Sequence, residues 1–151
     1  MLSNRFCPQA TVIPVLSYPD VNEAAMWLCE AFDFSVRLRI GVHRVQLNIP
    51  AANEENGAVI LREPRPHEAG AVTTIGHSIT VRVADVDAHY LRAKAHGARI
   101  TAEPETHPYG ERQYVVEDLA GYSWTFSQSV RDVHPSEWGG TAVDLDPPLS
   151  G

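Results

Sequence analysis

The feature that most restricts the fold of this chain is a faint internal repeat. The segment 18–24 (YPDVNEA) resembles the segment 83–89 (VADVDAH), and their aspartates, Asp20 and Asp85, lie 65 positions apart. A second pair of segments, 57–61 (GAVIL) and 121–125 (GYSWT), is offset by 64 positions. Two matches with nearly the same offset predict two structural units of one design that share a core.

The first half carries a strand, a helix and three further strands. Asp20 is placed to cap the helix, which has a broad apolar stripe, and Glu23 could close a capping box. Apolar and polar residues alternate in the flanking segments, as is typical of half-buried strands. The predicted strands are 11–17, 35–40, 42–49 and 57–63.

The second half repeats this order. Asp85 is placed to cap a helix that runs to about His96, and Gly97 suits the left-handed conformation that ends a helix. Residues 118–121 (DLAG) predict a turn. The predicted strands are 78–83, 98–103, 111–117 and 122–128. We therefore predict an α+β fold, in which two tandem β-α-β-β-β modules form curved mixed sheets around a groove.

The same patterns divide the chain into five parts. A segment rich in proline, 64–70 (PRPHEAG), has the composition of a linker, and the periodicity fails after Gln128. Trp138 is the residue of the tail that we expect to dock on the body. The predicted parts are an N-terminal extension (1–10), a first module (11–63), a linker (64–75), a second module (76–128) and a C-terminal tail (129–151).

Composition and charge exclude several classes of protein. Of the 151 residues, 44% are hydrophobic and 21% are charged, which is ordinary for a folded domain and excludes a disordered chain. The apolar runs, such as 58–61, are a handful of residues long and fall far short of the ~20 residues of a membrane span. The net charge of −7 argues against nucleic acid as a partner.

The two cysteines, Cys7 and Cys29, form no CxxC pattern and indicate no disulfide framework. The first residues lack the apolar stretch of a secretory signal, so we expect a cytoplasmic protein with reduced thiols. Cys29 lies on the apolar stripe of its helix, where a buried and inert thiol is favoured over a reactive one.

A family resemblance rests mainly on the second half. The run 108–114 (PYGERQY) has a Pro-aromatic-Gly-x-Arg-x-aromatic pattern, and 118–126 (DLAGYSWTF) follows it. With the duplicated module, these motifs resemble the vicinal oxygen chelate superfamily, which includes glyoxalase I, extradiol dioxygenases and bleomycin-resistance proteins. The bleomycin-resistance-like branch is the most similar. The resemblance covers about 11–128 and implies a homodimer whose grooves the partner completes.

Metal-dependent members of that superfamily carry His and Glu ligands on the first and last strands of each module. The matching positions here are Ile13, Leu61, Ser78 and Thr125. Isoleucine and leucine cannot ligate a divalent ion, and serine and threonine are poor ligands without imidazole or carboxylate help. The resemblance therefore implies neither a metal nor another cofactor. A β-bulge that turned His77 into the site, beside Glu63, would restore a metal site.

The groove is expected to lie on the sheet faces away from the helices. If 118–121 closes a hairpin with Glu117 opposite Tyr122, Arg112 and Tyr114 share the face of Thr125, while Trp124 and Phe126 are core. The predicted ligand-binding residues are Ser78, Thr80, Tyr109, Arg112, Tyr114, Ser123, Thr125, Arg39 and Gln46. Further groove positions are Arg37, Arg44 and Asn48, over an apolar floor of Ile13, Val15 and Leu61.

These observations leave three functions open. The leading one is metal-independent binding and sequestration of a small drug-like or aromatic molecule, with no catalytic residue and no membrane partner. The second is a metal-dependent lyase or dioxygenase. The third is a structural module whose groove is plugged by side chains or by the tail from Asp132. The histidines form no metal-binding pattern, and His89 is expected to be solvated on the second helix.

Overall fold

The computed structural model describes residue 2 and residues 4–53, 55–68 and 76–143. Two β-α-β-β-β modules follow one another, as predicted. The first contains β1 (Val15–Ser17), α1 (Val21–Phe32), β2 (Ser35–Ile40), β3 (Arg44–Ile49) and β4 (Gly57–Arg62). The second contains β5 (Ile79–Arg82), α2 (Val86–Ala95), β6 (Arg99–Thr106), β7 (Glu111–Glu117) and β8 (Ser123–Ser129). Among the described residues, no helix has the length and apolar character needed to cross a membrane.

Each module forms one mixed four-stranded sheet. Sheet A has the strand order β1-β4-β3-β2, and sheet B has the equivalent order β5-β8-β7-β6. The first strand of each module pairs parallel with the last, and the remaining pairs are antiparallel. One face of each sheet packs against the helices, and we call the opposite face the open face. The predicted α+β class is confirmed.

The two aspartates of the repeat begin the two helices. The Asp20 carboxylate accepts a hydrogen bond from the amide of Glu23 at 3.0 Å, and Asp85 accepts one from the amide of Ala88 at 3.1 Å. Both side chains thereby satisfy a donor that the first turn of a helix leaves free. The first pair of matching segments is therefore a repeat of helix caps.

The two modules share one hydrophobic core. Phe32, at the end of α1, packs its ring 5.7 Å from that of Trp124 and 4.9 Å from that of Phe126, both on β8 of the other module. Phe34 adds a further contact with Trp124 at 5.5 Å. Trp124 and Phe126 are fully buried, which confirms their prediction as core. Helix α1 therefore stabilises sheet B as well as its own sheet.

A buried polar network joins the modules beside this core. The Asp118 carboxylate accepts hydrogen bonds from the Tyr18 hydroxyl (2.6 Å), from Trp124 Nε1 (3.1 Å) and from two amides of its own turn. Burial raises the pKa of Asp118, and these donors oppose that change. The Tyr122 hydroxyl bonds to both the amide and the carbonyl of Ser17. The sequence predicted only a turn here.

The tail is held against the β6–β7 hairpin. Gly110 accepts hydrogen bonds from the amides of Val130 and Arg131, and a Cβ at Gly110 would lie 2.2 Å from the Arg131 carbonyl oxygen. With a φ of +90° as well, this position requires glycine. Trp138 meets the ring of Tyr109 edge-on at 6.0 Å, so the expected docking of Trp138 is observed.

Candidate functional site

The open face of sheet B carries a row of hydroxyl groups. Thr80 on β5 lies directly opposite Thr125 on β8, which places these two residues on one face as predicted. Ser123 and Ser127 continue the same face of β8. Gln113 donates to the Ser127 hydroxyl at 3.0 Å, and that hydroxyl donates to Glu111 at 2.7 Å. The face is thus polar and partly pre-organised by its own hydrogen bonds.

A cavity of about 440 Å³ lies where the edges of the two sheets approach each other. Its polar wall includes Ser78 and Thr80, and its apolar wall includes Val12, Pro14 and Ala58. The cavity therefore draws on the segment before β1, on the β3–β4 loop (residues 50–53 and 55), on β4 and on β5. A volume of this size suits a small organic molecule, and apolar walls with a few hydroxyls are typical of such sites.

A second cavity, of about 510 Å³, lies on the other side of β5 and is lined by Phe32, Phe34, Val81, His89 and Arg92 among others. His89 bonds through Nδ1 to the Tyr114 hydroxyl (2.6 Å) and through Nε2 to the Phe32 carbonyl (3.0 Å). Burial lowers the pKa of His89, which favours a neutral imidazole. The expectation that His89 is solvated is wrong.

Tyr114 and Arg112 do not lie on the open face, which corrects their predicted position. The amide of Asp118 donates to the Tyr122 carbonyl, so the turn spans 118–122 and Glu117 pairs with Ser123. This register differs by one residue from the predicted one, and a one-residue shift in a strand moves every side chain to the other face. Tyr114 is consequently buried opposite Phe126, next to the core.

Arg112 reaches from the helix-covered side of β7 to α2. Its guanidinium donates to both carboxylate oxygens of Asp87, with distances of 3.0 Å from Nε and from Nη2. The pair holds the pKa of Asp87 below its usual value. Arg112 therefore ties β7 to α2, and the expectation that it lines the groove is wrong.

Arg39 is also turned away from the open face. The pairing of β2 with β3 shifts between Val36 and Leu38, which marks a β-bulge. Beyond this bulge Arg39 pairs with Val45, a core residue, and donates to the Asn22 side chain of α1 at 2.7 Å. The strict alternation expected for 35–40 fails because the bulge inserts one residue.

Leu61 faces the core as well. It pairs with Val45 and with Leu16, and it is fully buried. Its neighbour Ile60 takes the open face, opposite Val15. The predicted apolar floor of sheet A therefore includes Ile60 in place of Leu61.

Gln46 does lie on the open face of sheet A, but it is covered. Its amide donates to the Phe6 carbonyl at 2.8 Å, and its carbonyl accepts from Arg37 at 2.5 Å. Residues 4–7, which we call the N-terminal turn, therefore rest on this face. The sequence carried no periodic signal for these residues, and no feature of the sequence indicated that they would dock here.

Tyr109 stands at the rim of the other open face. Its hydroxyl donates to Gln113 at 3.2 Å, and its ring stacks on His107 at 5.1 Å. With Trp138 against its edge, Tyr109 belongs to a small exposed aromatic cluster beside the hydroxyl row.

The residues at the family's ligand positions do not fit a divalent metal. The positions matched to those ligands hold Ile13, Leu61, Ser78 and Thr125, which offer neither imidazole nor carboxylate, and Leu61 is buried in the core. The ring of His77 packs against Tyr122 at 5.8 Å. In the described part of the chain, no three His, Cys, Asp or Glu residues are grouped to hold a metal ion.

Comparison with known proteins agrees with this architecture. The family model of the Glyoxalase/Bleomycin resistance protein/Dioxygenase superfamily matches residues 11–126. The chain belongs to this superfamily. Its membership confirms the resemblance drawn from the sequence, and it accounts for the duplicated module.

Two relatives are uncharacterized proteins of Mycobacterium bovis and Mycobacterium tuberculosis. Each is 33% identical over 132 residues, which is 82% of this chain and 86% or 77% of the relative. Among solved structures, TioX from Micromonospora sp. ML1 is 32% identical, with a TM-score of 0.62 over 80% of this chain and 98% of TioX. A glyoxalase-related enzyme from Fulvimarina pelagi has the same TM-score at 16% identity, over 80% of this chain and 88% of its own, and shares the fold.

Proposed function

We propose that this member of the superfamily binds and sequesters a small organic molecule without a metal ion. The observation that carries the proposal is the 440 Å³ cavity between the sheet edges, with hydroxyls on one wall and apolar side chains on the other. Ser78 and Thr80 would accept and donate hydrogen bonds to the ligand, and Ala58, Pro14 and Val12 would contact its apolar part.

Retention of a ligand without bond cleavage follows from the chemistry of these side chains. A hydroxyl without an adjacent base is a weak nucleophile, and Thr80 lies opposite another threonine. Two charged side chains, those of Arg82 and Glu55, also line the cavity, and Arg82 suits a ligand with an anionic or carbonyl oxygen. The ligand class we favour is a drug-like or aromatic molecule that carries such an oxygen.

The test is a thermal-shift screen of the full chain against planar aromatics, acidic metabolites and cationic glycopeptides. We expect at least one class to raise Tm. Thr80→Val keeps the shape of the side chain and removes its hydroxyl, so it should weaken binding of that compound by ~5- to 10-fold. Thr101→Val, on an exposed position of β6, is the matched control.

Two results would count against this function. One is the absence of stabilisation by every class in the screen. The other is one equivalent of a bound divalent metal in protein purified without chelator, which would favour a metal-dependent lyase or dioxygenase instead.

We also propose that the chain forms a homodimer. Val12, which precedes β1, and Val15, on the edge strand β1 of sheet A, expose 78% and 45% of their surface. Exposed apolar residues at a strand edge are stabilised when a partner covers them. Light scattering of the purified chain should give twice the monomer mass, and Val15→Lys should reduce it.

A further inference from the structure

The N-terminal turn presents its main chain, rather than its side chains, to sheet A. The turn is closed by hydrogen bonds from the amide of Cys7 to the Asn4 carbonyl (3.2 Å) and from the amide of Phe6 to the Asn4 side chain (3.0 Å). The side chains of Arg5, Phe6 and Cys7 are all exposed, that of Phe6 by 51%. What the turn offers to the sheet is therefore three successive carbonyl oxygens.

Two side chains of sheet A bind these three oxygens. Arg37 donates through Nη2 to the carbonyls of Arg5 (2.7 Å) and Cys7 (3.2 Å), and Gln46 donates through Nε2 to the carbonyl of Phe6 (2.8 Å). The pair is pre-organised, because Nη1 of Arg37 also donates to Oε1 of Gln46. That bond orients the Gln46 amide with its NH₂ group towards the turn.

Gln46 is 1% exposed, although its amide lies on the open face. A buried amide without a partner costs free energy, so Gln46 requires a carbonyl in this position whenever water is excluded. The N-terminal turn uses none of its side chains to bind Arg37 or Gln46. Another molecule with similarly spaced carbonyls could replace it without loss of these hydrogen bonds.

We infer that Arg37 and Gln46 form a recognition site for the amide carbonyls of a peptide-like ligand, which the N-terminal turn of the chain occupies in the structure. The inference rests on the proposed function in that the occupant would be a ligand of the open faces. A cavity lined by Pro8, Gln9, Arg37, Gly57 and Ala58 adjoins the turn. Gly57 and Ala58 also line the cavity beside Thr80, so one molecule could reach both places.

Nuclear magnetic resonance on the full ¹⁵N-labelled chain tests the inference, with acetyl-triglycine amide as a probe that has carbonyls and no side chains. The reporter is the side-chain NH₂ resonance of Gln46. We expect the probe to shift this resonance, and we expect tighter apparent binding in the double variant Asn4→Ala/Cys7→Pro, which removes both hydrogen bonds that close the turn. The apparent affinity for the probe should rise ~3-fold or more in the double variant. An internal competitor reduces apparent affinity in proportion to the fraction of sites that it leaves free, and the double variant frees more of them.

Arg37→Gln should abolish the response, whereas Arg39→Gln, two residues along the same strand but bonded to α1, should retain it. Diethylene glycol dimethyl ether, which has no carbonyl, should leave the Gln46 resonance in place. The inference is overturned if the double variant shows no probe-dependent shift at Gln46, or if it binds the probe no more tightly than the unmodified chain.

The outcome is separable from that of the proposed function. Thr80→Val should leave the response of Gln46 to the probe unchanged, because its hydroxyl lies on the other sheet. A failed ligand screen with an intact Gln46 response would overturn sequestration in the cavity alone. If the probe does not shift the Gln46 resonance while Thr80→Val weakens binding of a screened ligand, carbonyl recognition alone would be overturned.

Discussion

The open faces of the two sheets occupy equivalent places in the repeat but differ in chemistry. Where the first and last strands pair, sheet A brings Val15 opposite Ile60, and sheet B brings Thr80 opposite Thr125. The N-terminal turn rests on sheet A, whereas sheet B presents a row of hydroxyls. Duplication preserved the helix caps and strand order, and the two modules differ where a ligand would bind.

The helix-covered faces show the opposite behaviour, since they are merged into one core. Phe32 of the first module lies among Trp124 and Phe126 of the second. Asp118 and Tyr122 of the second module bond to Tyr18 and Ser17 of the first. The modules are therefore distinct on their open faces and inseparable on their packed ones.

Loss of the Phe32 ring should have the largest effect on this comparison. We expect Phe32→Ala to lower the free energy of unfolding by about 3–5 kcal/mol, because a buried aromatic ring leaves a cavity in both modules. Urea unfolding followed by circular dichroism and by tryptophan fluorescence should give one shared midpoint. Met26→Ala, on the exposed side of α1, is the control. Two separate transitions would show that the modules fold independently.

Replacement of Asp118 should weaken the polar junction. Asn at position 118 cannot accept all the hydrogen bonds that the carboxylate accepts, and Trp124 Nε1 would lose its partner. We expect Asp118→Asn to cost roughly 1–3 kcal/mol of stability, measured by urea unfolding. The exposed Asp132→Asn should change stability little. Equal stability of both variants would contradict a role for this network in joining the modules.

The pH dependence of stability should distinguish His89 from the exposed histidines. Its folded pKa is below the unfolded value of 6.5, so the unfolded state binds more protons as the pH falls through 6.5. Stability should therefore be complete above pH 6.5 and decline below it, until the pH reaches the folded pKa. His89→Gln should flatten the slope just below pH 6.5, whereas His96→Gln should not. An unchanged slope in His89→Gln would show that other groups cause it.

Arg112→Gln should have the smallest effect. The variant loses a solvent-screened ion pair with Asp87, so the free energy of unfolding should change little. Because Arg112 lies on the packed side of sheet B, affinity for a ligand of the open face should be unchanged. Isothermal titration with a compound from the screen checks this. A loss of affinity comparable to that of Thr80→Val would show that Arg112 contributes to ligand binding after all.

Much of the fold could be predicted because its signals are local. The capping aspartates, the apolar stripe of α1 and the alternation in the strands depend on neighbours within a few residues. The position of Thr80 and Thr125 on one face followed from this alternation. The alternation gave the wrong face for Arg39, because a β-bulge leaves no clear mark in the order of residues. It gave the wrong face for Tyr114 because the turn before β8 is one residue longer than predicted, which moves each side chain of the paired strand to the opposite face.

Other features of the site could not be predicted, because they depend on residues far apart in the chain. His89 is partly buried because it bonds to the Tyr114 hydroxyl and to the Phe32 carbonyl, 25 and 57 positions away in the chain. Gln46 is covered only because a segment 40 residues earlier folds back over it. No periodic pattern records such contacts.

The sequence by itself determined the duplicated β-α-β-β-β order, the helix caps, the superfamily and the lack of metal-ligating residues at the family positions. Each of these is a property of residue type at a given spacing. Only the tertiary structure decided which side chains reach the open faces and which are withdrawn into the core. The physical reason is that a strand has two faces, and strand register, bulges and distant packing select between them.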